Sequence, residues 1–302
     1  MTAELVVICG PTAAGKTGAA IRVCAAVDGE VVSADAVQIY RHLDIGSAKP
    51  TREERAAAPH HVIDVVDPTE RYSAARYIED AERAIADIRS RGRRPVVTGG
   101  CGLYIKALLY GLCPAPPADP DIRAELEQEA EDGGAGTLHR RLRLIDPSTA
   151  ERLHPADRVR VVRALEVYLI TGRPISEHQA EHGFHEARHR AVVWGLDPGP
   201  EPLRERIDAR VDQMMAEGFL EEVSGLLDRG YEPSSPGLSS PGYRELVAHL
   251  AGELKLDEAI RLIGRSHRHY ARRQRTWFRK TIGLTWYSGA DALPLGLLGQ
   301  GS

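Results

Sequence analysis

One segment near the N-terminus has the residue types and the spacing of a phosphate-binding loop. Its eight residues read GPTAAGKT, which satisfies the pattern G-x-x-x-x-G-K-[ST]. The two glycines let backbone N–H groups wrap a diphosphate, the lysine adds a positive charge, and the threonine offers a hydroxyl to Mg²⁺. The pattern predicts the ligand class and leaves the reaction open, because hydrolases, kinases and other transferases use the same loop. The predicted loop residues are Gly10, Pro11, Thr12, Ala13, Ala14, Gly15, Lys16 and Thr17.

A carboxylate follows the second apolar run of the chain. Asp35 follows residues 30–33 with one residue between them, in the segment SADAVQIY. Because the carboxyl ends of parallel strands face the ligand crevice, we expect Asp35 to lie near the phosphate loop, where a carboxylate can act as a general base. The alternative is an Asp that caps the following helix.

The elements that must position these residues alternate between short apolar runs and helical stretches. Apolar runs at 4–9, 30–33 and 94–100 each end in glycine, serine or aspartate, and a helix is predicted over 17–27. This alternation predicts an α/β fold with a P-loop NTPase-like parallel sheet core flanked by helices.

The sequence also predicts an all-helical inserted domain. Residues 111–120 read GLCPAPPADP, which suits an exit from the core. A strand at 191–196 then returns to the sheet. We therefore expect a core domain of 1–115 and 188–302, an insertion of 116–187, and a loose tail over the last dozen residues. Predicted helices are 122–131, 137–144, 148–153 and 158–170 in the insertion, and 202–217, 219–229, 242–251 and 257–280 after it.

Composition indicates a soluble enzyme. Hydrophobic residues make up 42% and charged residues 27% of the 302 residues, which excludes a disordered or fibrous class. The N-terminal apolar stretch is too short to span a bilayer and no basic region precedes it, so we expect a cytoplasmic protein without a membrane partner. The four cysteines have neither zinc nor disulfide spacing.

A basic segment near the C-terminus is the one feature that suggests a nucleic-acid partner, since the net charge is only -4. Residues 265–280 read RSHRHYARRQRTWFRK, with seven Lys/Arg and no acid. On a helix, Arg265, Arg268, Arg272, Arg275 and Arg279 form one stripe, and Ile263, Tyr270 and Trp277 lie on the other side. We expect Trp277 to face the core. A solvated helix face is the alternative to RNA binding.

Five blocks occur in one order along the chain: GPTAAGKT, SADAVQIYRHLDIGSAKP, PHHVIDVVDP with YSAARY, VVTGGCGLYIKALLYGL, and RRQRTWFRK. In these blocks the sequence resembles the tRNA dimethylallyltransferase family over nearly its whole length. The resemblance implies transfer of a dimethylallyl group from dimethylallyl diphosphate to N6 of adenosine 37 in the anticodon loop of tRNAs that read codons beginning with U. It also implies Mg²⁺ held through Thr17. We expect a monomer.

The resemblance assigns roles to individual residues. Asp35 becomes the general base, and Lys16, Thr17, Cys101 and Arg210 become catalytic, with Arg210 favoured over Arg206 as the arginine near the diphosphate. The insertion is expected to grip the anticodon stem-loop. The residues implied to bind tRNA are Asp35, Ala36, Val37, Gln38, Cys101, Arg123, Val159, Arg160, Val161, Val162, Arg163, Arg272, Arg273, Gln274, Arg275 and Arg279.

The chain departs from the family pattern at three places. Cys101 stands where the family has Thr or Ser, Ala36 replaces the commoner Ser, and residues 238–241 read LSSP before Gly242. Since a thiol is a weak hydrogen-bond donor, a contact from Cys101 to diphosphate or base is expected to be weak. A small buried hydrophobe is the alternative role for Cys101.

Three other functions remain open on the sequence. A P-loop small-molecule kinase explains the first forty residues but not the basic segment or the insertion. An RNA-binding protein that uses nucleotide as a switch predicts binding without transfer. Dimethylallyl transfer to free AMP, ADP or ATP stays within the same superfamily, but the enzymes that do this lack much of the RNA-contacting portion present here.

Overall fold

The computed structural model describes residues 5–184, 186–280 and 283–298. Within them the chain forms two units, one from the residues up to Leu109 and from Arg188 onward, and one from Tyr110–Ala187. Glu4, with which the predicted first strand begins, lies outside the described residues. No helix in the described ranges combines the length and the apolar character needed to cross a bilayer.

The first unit contains a six-stranded sheet in the order β3-β2-β4-β1-β5-β6, and every strand pair is parallel. The predicted α/β class with a parallel sheet is confirmed. Two strands were not predicted, because β3 and β6 are short and lie at the two edges of the sheet. The strands are β1 (Leu5–Cys9), β2 (Gly29–Ser33), β3 (His60–His61), β4 (Arg94–Gly99), β5 (Ala191–Leu196) and β6 (Leu284–Tyr287).

Helices occupy both units. Those of the first unit that precede the insertion are α1 (Lys16–Val27), α2 (Arg52–Ala57), α3 (Ala74–Ser90) and α4 (Gly102–Tyr110). Those of the second unit are α5 (Pro120–Gly133), α6 (Thr137–Ile145), α7 (Pro147–Arg152), α8 (Arg158–Thr171) and α9 (Ile175–His182). The first unit then continues with α10 (Pro200–Ala216), α11 (Phe219–Asp228), α12 (Tyr243–Leu250) and α13 (Leu256–Phe278).

Side-chain alternation along the strands gives the sheet two apolar faces. Val6, Ile8 and Val96 join a buried cluster with residues of α1, and α1 packs on β1, β2 and β4. The alternate residues Val7 and Val97 are completely buried on the opposite face, and α3 packs on β2 and β4. Strands buried on both faces explain the continuous apolar runs of the sequence.

The second unit has a core of its own. Leu126 of α5, Leu142 of α6 and Leu165 of α8 pack together and are at most 1% exposed. Aspartates begin its helices, for Asp119 accepts N–H bonds at the start of α5 and Asp157 does so at the start of α8. In the described part of this unit all regular structure is helical, as the sequence predicts.

The end of the chain differs from the prediction of a loose tail. Two short 3₁₀ helices, Ala290–Ala292 and Leu295–Leu297, follow β6, and Leu293 between them is only 7% exposed. Leu293 joins the same apolar cluster as α1. The prediction is therefore wrong for residues 291–298, because leucines spaced through this segment pack on the core. The last four residues lie outside the described chain.

Candidate active site

A cavity of about 400 Å³ lies at the carboxyl ends of the strands of the first unit. Because β2, β4 and β1 are neighbours in the sheet, the loops that follow them meet here. Residues of α10 and α13 complete its wall. Of the residues predicted to act on substrates, those that line it are Thr12, Lys16, Thr17, Asp35, Ala36, Val37, Gln38, Arg210, Arg273 and Gln274.

The phosphate loop has a shape that two of its positions permit only to glycine. Gly10 has φ 150°, and a Cβ there would lie 2.4 Å from the carbonyl oxygen of Leu196 at the end of β5. Gly15 has φ 85°, a left-handed conformation that turns the chain into α1. The loop therefore delivers Lys16 and Thr17 to the first turn of a helix, where N–H groups point at an anion.

Two cations, Lys16 of this loop and Arg210 of α10, line the cavity without enough negative charge beside them. Burial lowers the pKa of Lys16 to about 8, and Asp35 opposes that effect while Arg210 adds to it. Burial likewise lowers the pKa of Arg210, against the opposing effect of Asp35 and Glu54. Lys16 Nζ donates to the carbonyl oxygen of Pro11 at 2.7 Å. An anionic ligand would supply the charge that both cations lack.

Asp35 is fixed by its own backbone. Its Oδ1 accepts the N–H groups of Val37 at 2.9 Å and Gln38 at 3.3 Å, which closes a turn after β2. The alternative, an Asp that caps the following helix, is wrong, because the residues after Asp35 form a turn and the next helix begins only at Arg52. Within the described residues Oδ2 receives no hydrogen bond, so the cavity holds an oriented carboxylate with one oxygen available to a ligand.

The loop beyond Asp35 is held from a distant helix. Glu222 of α11 accepts the N–H groups of Asp44, Ile45 and Gly46 at 2.9, 2.8 and 3.2 Å. The next residue but one, Ala48, accepts a 3.0 Å hydrogen bond from Gln38 Nε2. The Gln38 amide is therefore used inside the protein, and Glu222 sets the wall of the cavity indirectly.

Two histidines that the sequence interpretation did not select also line the cavity. His60 Nδ1 lies 2.7 Å from the carbonyl oxygen of Ala58, and its Nε2 is buried with no hydrogen-bond partner among the described residues. Burial lowers the pKa of His60 and also that of His267 on α13. The direction of both shifts favours the neutral imidazole near pH 7.

Comparisons with known proteins give the family. A family model described as IPP transferase matches residues 38–281, and a second, described as Isopentenyl transferase, matches residues 3–61. The tRNA dimethylallyltransferase of Geobacter sulfurreducens is 52% identical over 283 residues, which cover 94% of this chain and 91% of that protein. This chain belongs to the tRNA dimethylallyltransferase family. The resemblance seen in the sequence is confirmed.

Solved structures of tRNA dimethylallyltransferases and isopentenyltransferases share the fold. The tRNA isopentenylpyrophosphate transferase of Bacillus halodurans is 39% identical and has a TM-score of 0.70, with 95% of this chain and 90% of that chain covered. A eukaryotic dimethylallyltransferase acting on tRNA is 29% identical and has a TM-score of 0.80, with 95% of this chain and 74% of that chain covered.

Cys101, where tRNA dimethylallyltransferases are expected to carry Thr or Ser, lies beside the cavity and outside the residues that line it. Its backbone N–H donates to the carbonyl oxygen of Ala34 at 3.0 Å, which ties the β4–α4 loop to the segment that carries Asp35. Burial raises the pKa of the Cys101 thiol to about 12. The thiol is therefore neutral, and the observed position agrees better with a packing role than with a strong polar contact.

The basic helix of this family member, α13, presents two kinds of arginine. Arg265 and Arg272 are exposed and have no ion-pair partner within the described residues. Other arginines of the stripe are already paired with acids of neighbouring segments. These pairs are Arg268 with Asp208, Arg275 with Asp197, and Arg279 with Asp197.

The expectation that Trp277 faces the core is wrong in detail. The core residue at this end of α13 is Phe278, which is 1% exposed. Trp277 is half-buried and lies over Gly102, where an added Cβ would be 2.2 Å from its ring. A glycine without a side chain leaves room for the indole beside the helix and outside the core.

Arginines of the second unit that were expected to bind tRNA converge on one buried carboxylate. Glu166 is 0% exposed, and Arg123 donates to it at 2.7 and 3.0 Å. Arg163 donates to it at 2.5 Å and also to the carbonyl oxygen of Pro116. Burial acts to raise the pKa of Glu166, but these hydrogen bonds outweigh it and hold the pKa at about 2. The cluster is an internal tie of the second unit.

Neighbouring positions of α8 point different ways. Val161 and Val162 are 1% and 4% exposed and belong to the core of the second unit, so the expectation that their side chains bind tRNA is corrected. Val159 is 81% exposed. Arg160 is exposed and pairs with Asp157 one turn earlier. Residues two positions apart on a helix lie on different faces. The five consecutive residues 159–163 therefore cannot all face the same partner.

Several cavity residues carried no strong signal in the sequence. For His267 and Tyr270 the available signal is periodicity on α13, since they recur with the predicted Gln274 at three- and four-residue spacing on one face. Arg210 was selected and Arg206 is exposed on α10, as that preference implies. The cavity residues outside the predicted set are Ser33, Gly46, Ser47, Ala48, Pro50, His60, Thr98, Gly99, Ser240, Pro241, Arg244, His267 and Tyr270.

Proposed function

We propose that this chain transfers the dimethylallyl group of dimethylallyl diphosphate to N6 of adenosine 37 in tRNAs that read codons beginning with U. The products are N6-(dimethylallyl)adenosine and diphosphate. The observation that carries the proposal is one cavity in which Lys16 of the phosphate loop and Arg210 of α10, both with a lowered pKa, lie beside an oriented carboxylate. Membership of the tRNA dimethylallyltransferase family supplies the two substrates.

The donor side would stabilise the leaving diphosphate. As the C1–O bond breaks, positive charge spreads over the allylic carbons and negative charge builds on the diphosphate. Lys16 and Arg210 face that charge, together with the N–H groups at the start of α1. Burial lowers the pKa of both cations by more than Asp35 raises it, so a diphosphate would supply the negative charge that they lack.

Mg²⁺ is the cofactor we propose for this side of the cavity. Mg²⁺ prefers oxygen ligands and is usually bound by few protein groups together with substrate phosphates and water. The hydroxyl of Thr17 lines the cavity at the start of α1, so one protein oxygen together with diphosphate oxygens and water would fit this ion. Thr17 would hold the ion, which would neutralise part of the diphosphate charge.

The acceptor side would use Asp35. The lone pair of an adenine N6 amine is drawn into the ring, so the amine is a weak nucleophile until it loses a proton. As the N6–C1 bond forms, the N6 proton becomes acidic and passes to the free Oδ2 of Asp35. Hydrogen bonds from Val37 and Gln38 to Oδ1 keep the carboxylate in one orientation throughout.

The RNA surface would consist of the exposed arginines of α13 and residues of the second unit. Arg265 and Arg272 are free to meet phosphates, and Arg273 reaches the cavity itself. The adenine must leave its stacked loop to reach Asp35, which is base flipping. We propose that the second unit grips the anticodon stem-loop and that the protein works as a cytoplasmic monomer.

Two alternatives keep part of this chemistry. Transfer to free AMP, ADP or ATP would use the same cavity, but the exposed arginines of α13 would then have no RNA phosphates to bind. A small-molecule kinase would use the phosphate loop and Asp35 in phosphoryl transfer. The family relationship favours tRNA as the acceptor. So does α13, in which some arginines are paired with acids while Arg265 and Arg272 have no ion-pair partner among the described residues.

The deciding experiment follows label from dimethylallyl diphosphate into an unmodified tRNA with adenosines at positions 36 to 38, with Mg²⁺ present. AMP serves as a second acceptor, and Asp35→Ala is assayed beside the wild type. We expect label in tRNA, and a fall of about 10²- to 10⁴-fold in the mutant. Label in AMP alone would move the protein to the free-nucleotide branch. Folded wild-type protein that labels neither acceptor would refute the proposal.

A further inference from the structure

Gln274 occupies the middle of the arginine-rich segment of α13, but its side chain is turned into the protein. The residue is only 6% exposed. Its Oε1 accepts the backbone N–H of Thr12 at 2.8 Å, and its Nε2 donates to the carbonyl oxygen of Gly100 at 2.9 Å. Both ends of the amide are thus committed to backbone groups, one in the phosphate loop and one in the loop after β4.

The surroundings of Gln274 are built to receive it. A Cβ added to Gly100 would lie 2.2 Å from Gln274 Nε2, so a side chain at this position would displace the Gln274 amide. The next residue of the helix, Arg275, donates from Nε to Asp197 at 2.8 Å, just after β5. The loops that follow β4, β1 and β5, three adjacent strands, are therefore all tied to consecutive residues of one helix.

We infer that Gln274 is a positioning residue for the diphosphate loop and not a contact for RNA. It acts through Thr12, whose N–H it holds in place at the start of the loop. A loop that is already ordered loses less conformational freedom when an anion binds, which strengthens binding. The exposed neighbours Arg272 and Arg273 remain on the RNA side, so α13 serves the donor through one residue and tRNA through others. This inference rests on the proposed function.

The test compares binding of two probes, inorganic diphosphate with Mg²⁺ and unmodified tRNA, in the full-length protein. Gln274→Met keeps the length of the side chain and removes its amide. Gln274→Asn keeps the amide but is too short to span both partners. For each variant we expect the Kd for diphosphate and the KM for dimethylallyl diphosphate to rise about tenfold, because two buried backbone groups lose their partner. The Kd for tRNA should change less than about twofold.

Two matched variants calibrate the result. Gln213→Met changes an exposed glutamine of α10 that bonds only Glu217 one turn away, and should alter neither probe. Arg272→Ala removes an exposed charge, and should weaken tRNA binding and reduce its salt dependence while diphosphate binding stays unchanged.

The outcomes separate the inference from the proposed function. An unchanged diphosphate Kd in either folded Gln274 variant overturns the inference, as does a rise in the tRNA Kd alone. Wild-type protein that binds diphosphate and transfers no label contradicts the proposed function but leaves the role of Gln274 in the loop intact. Wild-type protein that does not bind diphosphate overturns both.

Discussion

The cavity of the first unit and the arginine–glutamate cluster of the second unit are both groups of buried charge, but their charges are balanced differently. In the cavity, burial lowers the pKa of Lys16 and of Arg210, because Asp35 does not compensate for the lost water. In the second unit, hydrogen bonds hold the pKa of Glu166 at about 2 and raise that of Arg123.

This difference separates a ligand site from a structural tie. A cation whose pKa is lowered is short of negative charge, which a ligand can supply. An acid whose pKa falls in spite of its burial has all the partners that it needs. In the sequence, Arg210 and Arg163 look alike as helical arginines. Only the acid that folding brings beside each of them decides which one is available to a substrate.

The largest expected effect is on catalysis, at the unbalanced cluster. Lys16→Met should lower kcat/KM for dimethylallyl diphosphate by about 10²- to 10³-fold, because one donor to the developing diphosphate charge is lost. Its midpoint of thermal unfolding should stay equal to that of the wild type or rise, since a desolvated charge is removed. Steady-state kinetics and a thermal melt measure the two quantities, with the exposed Lys255→Met as control. A large loss of stability would instead mean that Lys16 stabilises the fold, as Glu166 does.

At the balanced cluster the effect should fall on stability. Glu166→Gln leaves Arg123 and Arg163 without a counter-charge and should reduce the free energy of unfolding by about 3 kcal/mol. Since the folded pKa of Glu166 is lowered from 4.5 to about 2, its contribution is present above pH 4.5 and is lost as the pH falls toward 2. Denaturant unfolding at pH 7 and at pH 3 measures this.

The matched control for Glu166 is Glu125→Gln, an exposed acid of α5 without an ion-pair partner in the described chain. It should leave the unfolding curve unchanged. If Glu166→Gln keeps wild-type stability but weakens tRNA binding, the cluster serves to bind RNA. The contrast between a ligand site in the first unit and a structural cluster in the second would then be wrong.

A smaller effect should appear in the pH dependence of donor binding. Lys16 is charged in the free protein below its pKa of about 8 and becomes neutral above it. Because inorganic diphosphate itself titrates over this range, the quantity to compare is the ratio of the wild-type affinity to that of Lys16→Met. This ratio should be constant below pH 7 and fall about tenfold by pH 9, with additional proton uptake on binding by the wild type above pH 8. Calorimetry in buffers of different ionisation enthalpy measures both. A ratio without an inflection near pH 8 would contradict this prediction.

The parts of the fold that sequence predicts well are those fixed by local pattern. The strand Ala191–Leu196 and the start of α1 follow from apolar runs and from the phosphate-loop spacing. Strand β3 has two residues and exists through pairing with β2, and the buried Leu293 is recognisable only beside α1. Neither has a periodicity long enough to detect.

For the site, motif and helical spacing find residues but not their partners. Lys16 and Asp35 meet in the cavity because they follow β1 and β2, which lie on either side of β4 in the sheet, and Arg210 reaches the cavity from α10. Gln274, in contrast, was expected to bind tRNA on the family resemblance, but it bonds two backbone groups far away in the chain. Such long-range partners depend on tertiary packing, which a sequence pattern does not contain.

The smallest expected effect is at Cys101, beside the unbalanced cluster but outside the lining of the cavity. Cys101→Ser should change kcat by less than about threefold, because the described structure gives the thiol no hydrogen bond to a residue of the site. A neutral thiol with a pKa of about 12 should also resist iodoacetamide at pH 7.5, which mass spectrometry measures. A gain of tenfold or more with Ser would mean that this position contacts substrate directly. The unbalanced cluster would then extend beyond Lys16, Asp35 and Arg210 to the start of α4.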